Sequence, residues 1–274
     1  MMVDDKYIEY LKNTSFSNGT PVEYKLKCGK TINIHPILVE NVMDYLWSRQ
    51  VVDIDKGSIN DIEVLQSKYL KFIYKYLIPR DHTYASMLYY LLTLCLKENI
   101  VCVIDEEYNC TYDNGKAVVV LVDDFQNNTV TGFITEQEFD DIVKIIKYQN
   151  DATYIDRYLS PDVKQAVEEF YSLQNKNTDV VEPTLEKKKA FVTSKTGLLL
   201  PQINKLTYRY FVEIYNACLN SELYIGQKII QGSYKYDVEK NVVHPMFEKE
   251  RDPVLEAFGG DAEAFVQKVN SVNG

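Results

Sequence analysis

At Thr135 the sequence switches from a strand pattern to a helix pattern, and that switch sets the middle of the chain. Val130 to Ile134 is a short β-branched run suited to a pleated surface. Thr135 and Glu138 then form an S/T-x-x-E capping box: the hydroxyl can accept from the Glu138 amide, and the carboxylate can reach back. Phe139, Ile142, Val143 and Ile146 follow at i, i+3, i+4 and i+7 as one apolar stripe. Asp140 and Lys144 stand at pairing distance on the opposite, wet side. A second helix is expected from Ser160-Pro161-Asp162, where a serine cap, an N1 proline and a first-turn acid agree. Its stripe is Val163, Ala166, Val167 and Phe170. Either stripe can line a partner groove, but a core face is the default for an amphipathic helix.

Upstream, Val22, Tyr24, Leu26 and Cys28 alternate with Glu23, Lys25 and Lys27, and Gly29-Lys30 supplies a turn before Ile32 and Ile34. This predicts a β-hairpin over 22–34. Pro36 opens a helix with Val39, Val42, Met43 and Leu46 inward and Trp47 beside them. A third helix is predicted from a Ser58 cap to about Leu77, with Ile62, Leu65, Tyr69, Phe72, Ile73 and Tyr76 on its stripe and Pro79 beyond its end. A fourth covers 83–97, with Tyr84, Leu88, Leu91, Leu92 and Cys95 inward. Val101–Ile104, Ala117–Val122 and Val130–Ile134 read as a small meander, with turns at Asp113-Asn114-Gly115 and Asn127-Asn128.

The stretch Gln174 to Glu182 is polar and without period, and Pro183 follows it. The expected organisation is therefore an α-rich unit over 1–173 carrying the hairpin and meander, a linker over 174–183, and a mostly helical unit over 184–274. In the last part helix signals stand at Thr184-Leu185-Glu186 and at Thr207, with Phe211, Ile214, Tyr215 and Cys218 on one stripe. Ser221 reads as the cap of a further helix ending at Gly232. Asp252-Pro253 and Asp261 start short terminal helices, the latter with Phe265, Val266 and Val269 inside. The fold class expected is α+β, predominantly α-helical with a small antiparallel β component. Strands and helices do not interleave in the repeated βαβ manner that a parallel sheet needs.

The search for chemistry returns no catalytic, cofactor-binding or metal-binding residues. His35, His82 and His244 are far apart, and Cys102 and Cys110 lack a second pair at ligand spacing. His244, beside Pro245, can be a ligand or base, but a structural loop histidine is the better reading. Asp105-Glu106-Glu107-Tyr108-Asn109 has Cys110 where a calcium loop needs glycine and Lys116 where it needs the closing acid. Asp123-Asp124 sits at a strand end, as metal-holding acids do, but the following Asn127-Asn128 favours a solvated hairpin tip. Phosphate-loop, dinucleotide and nucleophile-elbow patterns are missing. The expectation is a protein that is not an enzyme and carries no cofactor.

The net charge of −10 and pI near 4.9 give no basic face for nucleic acid. Lys187-Lys188-Lys189 reads as a solvated helix face. No apolar run reaches the length of a membrane helix, and MMVDDKYIEYLKN does not fit a signal peptide. The five widely spaced cysteines read as reduced thiols. The 22 tyrosines suit protein interfaces, whose cores favour aromatic rings with a polar tip, and they equally suit an AT-rich coding sequence.

Three stretches carry a family likeness. They are the Lys25–Ile34 hairpin leading through Pro36 into a helix; ITEQEFDDIVKIIKYQN at Ile134–Asn150 with the Ser160-Pro161 helix after it; and Leu206-Thr207-Tyr208-Arg209-Tyr210-Phe211 with Gln231-Gly232-Ser233 and His244-Pro245. Together the set resembles tail-region proteins encoded by phages of low-GC bacteria, of the baseplate hub or tail assembly chaperone kind. The resemblance implies a non-enzymatic structural or assembly protein, in the virion tail or in the host cytoplasm during assembly. Its implied partners are other phage tail or baseplate proteins, or further copies of itself, with no direct nucleic-acid contact and no membrane insertion. The competing expectation is a cytoplasmic adaptor or regulatory interaction module.

Overall fold

The computed structural model describes residues 3–54, 56, 62–101, 112–113, 115–123, 129–151, 154 and 183–232. The chain divides into two compact units, Met1–Tyr154 with Leu198–Glu213 and Ile155–Gly197 with Ile214–Gly274. The fold is α+β, mostly helical with a small antiparallel β part. Helices run α1 Asp5–Leu11, α2 Val42–Ser48, α3 Gln50–Asp53, α4 Ile62–Gln66, α5 Tyr69–Phe72, α6 Thr83–Leu96, α7 Glu136–Asn150, α8 Leu185–Thr196, α9 Leu200–Asn204 and α10 Tyr208–Gly232. Strands are β1 Val22–Lys25, β2 Thr31–Ile34, β3 Asn99–Val101, β4 Tyr112–Asp113, β5 Lys116–Val122 and β6 Val130–Thr135.

Helix α7 is the axis of the first unit. Its capping box forms: Thr135 accepts from the Glu138 amide, and the Glu138 carboxylate accepts from the Thr135 amide at 2.9 Å. Phe139, Ile142 and Ile146 of the expected stripe are buried, and Ile145 joins them. Val143 is half-buried against the same core. The helix packs on β2, β5, β6, α5 and the wide turn at Lys12–Phe16. Because neighbours cover both flanks, the expected Asp140–Lys144 pair does not form. Asp140 pairs instead with Lys68 at 3.5 Å and Lys144 with Asp5 at 3.1 Å.

The predicted hairpin is β1–β2, antiparallel with Val22 opposite Ile34 and Tyr24 opposite Ile32. Val22, Tyr24, Leu26, Ile32 and Ile34 are buried. Cys28 is exposed, because the alternation ends at Leu26, where the chain turns through Gly29 at φ +92° and Leu26 N–H donates to Lys30 O. In the second sheet β5 is central, with β3 and β4 along one edge and β6 on the other, all antiparallel. Tyr74 Oη donates to Val118 O at 3.1 Å and ties α5's extension to this sheet.

Two helical stripes fall out of phase with expectation. In the first, Val39 and Val42 are buried and Leu46 packs against the core as expected, but after the tighter turn at Val39–Asn41 Tyr45 turns inward and Met43 points to solvent. The predicted third helix breaks at Lys68, whose backbone is extended (φ −66°, ψ 154°). Val64 is therefore buried in α4 while Ile62 and Leu65 are exposed; Phe72 and Ile73 are buried as expected. After α5 the helix widens into a π turn at Ile73–Leu77. Helix α6 matches its prediction, with Leu88, Leu91, Leu92 and Cys95 fully buried.

Residues 198–213 belong with the N-terminal unit. Val39 N–H donates to Leu206 O at 2.9 Å and Tyr208 N–H to Ile37 O at 2.7 Å, a short antiparallel seam around Leu38 and Thr207. Ile203 and Phe211 are buried. Thr184 caps α8 by accepting from Lys187 N–H, as its sequence signal predicts. Ser221 starts no new helix: α10 runs unbroken through it, since no proline or strained residue interrupts 208–232. Helix α9 has Pro201 in its first turn, where a missing amide hydrogen costs nothing. The Ser160 helix, the 174–182 linker, Asn114 of the Asp113-Asn114-Gly115 turn, the Asn127-Asn128 turn, and everything beyond Gly232 lie outside the described residues.

Candidate functional site

Four polar residues of α7 are buried: Glu138, Asp141, Gln149 and Asn150. Burying such groups is costly unless each is hydrogen-bonded. Glu138 Oε1 accepts from Lys27 N–H at 2.5 Å and closes the hairpin turn onto the helix. Asp141 accepts from Tyr24 Oη at 2.9 Å. Gln149 Nε2 donates to Thr20 O and Ile34 O, each at 3.3 Å, and Asn150 Oδ1 accepts from Ile37 N–H at 2.8 Å. On the same helix Glu136 accepts from Ala117 N–H at 2.9 Å, Asp140 from Tyr69 N–H at 3.3 Å, and Lys147 donates to Val52 O at 2.7 Å. The polar face of α7 therefore ties the hairpin, β5, α3 and the start of α5 to one another. It is a scaffold rather than a reaction centre, because its acids are engaged by backbone and phenol donors.

Charge around this face is balanced locally. Arg49 and Lys147 both reach Asp53, at 2.7 and 3.0 Å. Burial alone pushes the Asp53 carboxyl up, but the two cations outweigh it and hold its pKa below the usual aspartate value. Asp140 goes the other way: burial raises it despite Lys68. Burial and the neighbouring Asp141 push the Tyr24 phenol far above its ordinary range, so it stays a donor.

The histidines do not converge. His35 is half-buried, its pKa lowered by burial and by Lys97, and its amide donates to Cys95 O at 2.7 Å. His82 is exposed ahead of α6, and His244 is outside the described residues. Cys28, Cys95 and Cys218 are free, and burial holds the Cys95 thiol well above its usual pKa, the opposite of activation. Cys102, Cys110 and the 105–109 acids fall outside the described residues. Asp123 sits at a hairpin end, its amide donating to Thr129 O at 2.9 Å, while Asp124 is not described. Among the described residues no group of three or more histidine, cysteine or acidic side chains can hold a metal ion. Lys188 of the expected solvated run is half-buried and lies over the Tyr215 ring at 5.5 Å.

What the structure does present is exposed apolar surface. On α2 and α6, Met43 (62% exposed), Trp47 and Tyr90 (50%) form an aromatic patch, with the Trp47 and Tyr90 rings edge to face at 5.7 Å. On α10, Leu219, Leu223, Ile225, Ile229 (69% exposed) and Ile230 are exposed along the helix. Sequence alone does not say whether anything covers such side chains. Among the described residues no helix is long and apolar enough to cross a membrane. No protein-family model, no curated protein and no solved structure matches the chain.

Proposed function

We propose that this protein works by assembling with other protein chains, as a structural or assembly component of a phage tail or baseplate, and performs no chemistry of its own. The observation that carries the reading is the run of exposed leucine and isoleucine on α10, beside the separate Met43–Trp47–Tyr90 patch. Soluble chains rarely leave clustered large apolar side chains in water unless something covers them. The acidic net charge disfavours a phosphate backbone as the partner. The tail context comes from the resemblance of the hairpin, the Ile134–Asn150 stretch and the Leu206–Phe211 stretch to phage tail-region proteins.

An intact-particle mass spectrum of purified virions tests the assignment. The chain's presence at fixed copy number makes it a tail component. Its absence from particles, together with its recovery on tail intermediates, makes it an assembly factor. Absence from both overturns the tail reading and leaves the adaptor reading in its place.

A further inference from the structure

We infer that the Met43–Trp47–Tyr90 patch is a docking site for a partner protein segment that carries an apolar anchor flanked by lysine or arginine. The inference rests on the protein–protein reading of function and names the kind of partner. Glu40, Met43, Asp44 and Trp47 occupy one exposed face of the turn leading into α2 and of α2 itself, while Val39, Val42 and Tyr45 on the other face are buried. Helix α2 packs on α6, which brings Tyr90 under the indole edge. Tyr89 in turn meets Tyr90 edge to face at 5.9 Å. Interface cores are enriched in tryptophan, tyrosine and methionine, and tryptophan and tyrosine are among the residues that carry most of the binding energy. The Trp47 indole N–H and the Tyr90 hydroxyl make no hydrogen bond among the described residues and remain available to a partner.

The rim decides the sign of the partner. Glu40 and Asp44 are exposed and make no ion pair or hydrogen bond among the described residues. A segment with cations beside its anchor gains from both carboxylates, and electrostatic complementarity of this kind favours encounter and register. A second copy of the chain would bring the same two carboxylates, and its own net charge of −10, against them.

Trp47 is the chain's only tryptophan, so its emission reads this patch alone. The probes are two synthetic amphipathic helices of equal length, one leucine/lysine and one leucine/glutamate. The leucine/lysine peptide should shift Trp47 emission to the blue in a saturable, salt-sensitive titration, and the leucine/glutamate peptide should not. Reversing both rim charges, Glu40→Lys with Asp44→Lys, should weaken the leucine/lysine peptide by about tenfold or more, which is about 1.4 kcal/mol. The same charge change placed elsewhere, Glu23→Lys with Glu186→Lys, should weaken it far less; Met43→Ala, which alters no charge, should weaken it as well. Unchanged emission, equal response to the two peptides, or equal loss in the two charge-reversed proteins overturns the inference. So does a blue shift that appears without peptide as a dimer forms in sedimentation, because a second copy then holds the patch. A chain found in virions with no response to the peptides sinks the docking site alone. A specific response from a chain absent from virions and tail intermediates sinks the tail reading alone.

Discussion

The Tyr24 hydroxyl donates to Asp141 Oδ2 at 2.9 Å across 117 residues of sequence, and both side chains are buried. Tyr24→Phe keeps the ring but strips a buried carboxylate of this donor. The expected cost is about 1–3 kcal/mol. Replacing both ends, Tyr24→Phe with Asp141→Leu, should cost less than the single change, because no unpaired charge is left behind. Urea unfolding followed by circular dichroism checks this; a single variant within experimental error of the parent would contradict it.

The Asp53 cluster sets an acid limit. Its carboxyl pKa is lower in the folded chain than in the unfolded one, so the unfolded state binds the proton first as pH falls. The stabilisation is thus fully present above the ordinary aspartate range and is lost as pH drops below it. Asp53→Asn should show a flatter fall of urea midpoint on acidification than the parent, and a lower midpoint at neutral pH. Because Asp53 is partly exposed, solvent screening keeps the effect modest. Parallel pH profiles for the two proteins would show that the cluster is not the titrating element.

Gly19 adopts φ +64°, and a Cβ built there would lie 2.9 Å from Thr207 Cγ2. Gly19→Ala meets both a left-handed backbone and this methyl group, with an expected loss of about 1–2 kcal/mol from the backbone alone. Thr207→Ser deletes the methyl and keeps the hydroxyl that accepts from Tyr210 N–H at 3.4 Å. The double variant should recover the steric part of the loss and leave the backbone part. Strict additivity in thermal unfolding would mean that the two residues do not touch.

Much of this architecture is readable from residue order, and the failures have two causes. The Thr135–Glu138 cap and α6 are set by neighbours three or four residues away, and the hairpin by two strands that meet across one short turn. The departures arise where distant chain intrudes and where the backbone leaves the regular helix. Lys68 and Asp5 draw Asp140 and Lys144 apart. The turn at Val39–Asn41 rotates the phase of α2, and the extended Lys68 resets the phase after α4. Glu138 shows only its capping role in sequence, because its bond to Lys27 spans 111 residues. The exposed patches are legible as apolar residues but not as uncovered ones, since exposure is a property of the packed chain.

Charge placed on α10 separates folding from assembly. Leu223→Glu and Ile229→Glu fall on exposed positions, so each should change stability by no more than about 0.5 kcal/mol. Each should nevertheless abolish or sharply weaken association with partner chains. A truncation ahead of residue 198 is the poorer tool, because it removes Ile203 and Phe211, which are buried with the first unit. Loss of folding in either point variant, seen by circular dichroism, would show that the α10 face is packed internally.

Affinity capture of the full-length chain from phage-infected cells, with every co-purifying protein identified by mass spectrometry, tests the assembly claim most directly. The account predicts recovery of tail or baseplate proteins with the parent chain and their loss with Leu223→Glu, Ile229→Glu or the Glu40→Lys/Asp44→Lys pair. Recovery of host proteins alone, or of no tail protein from a chain that is folded and abundant, would contradict it.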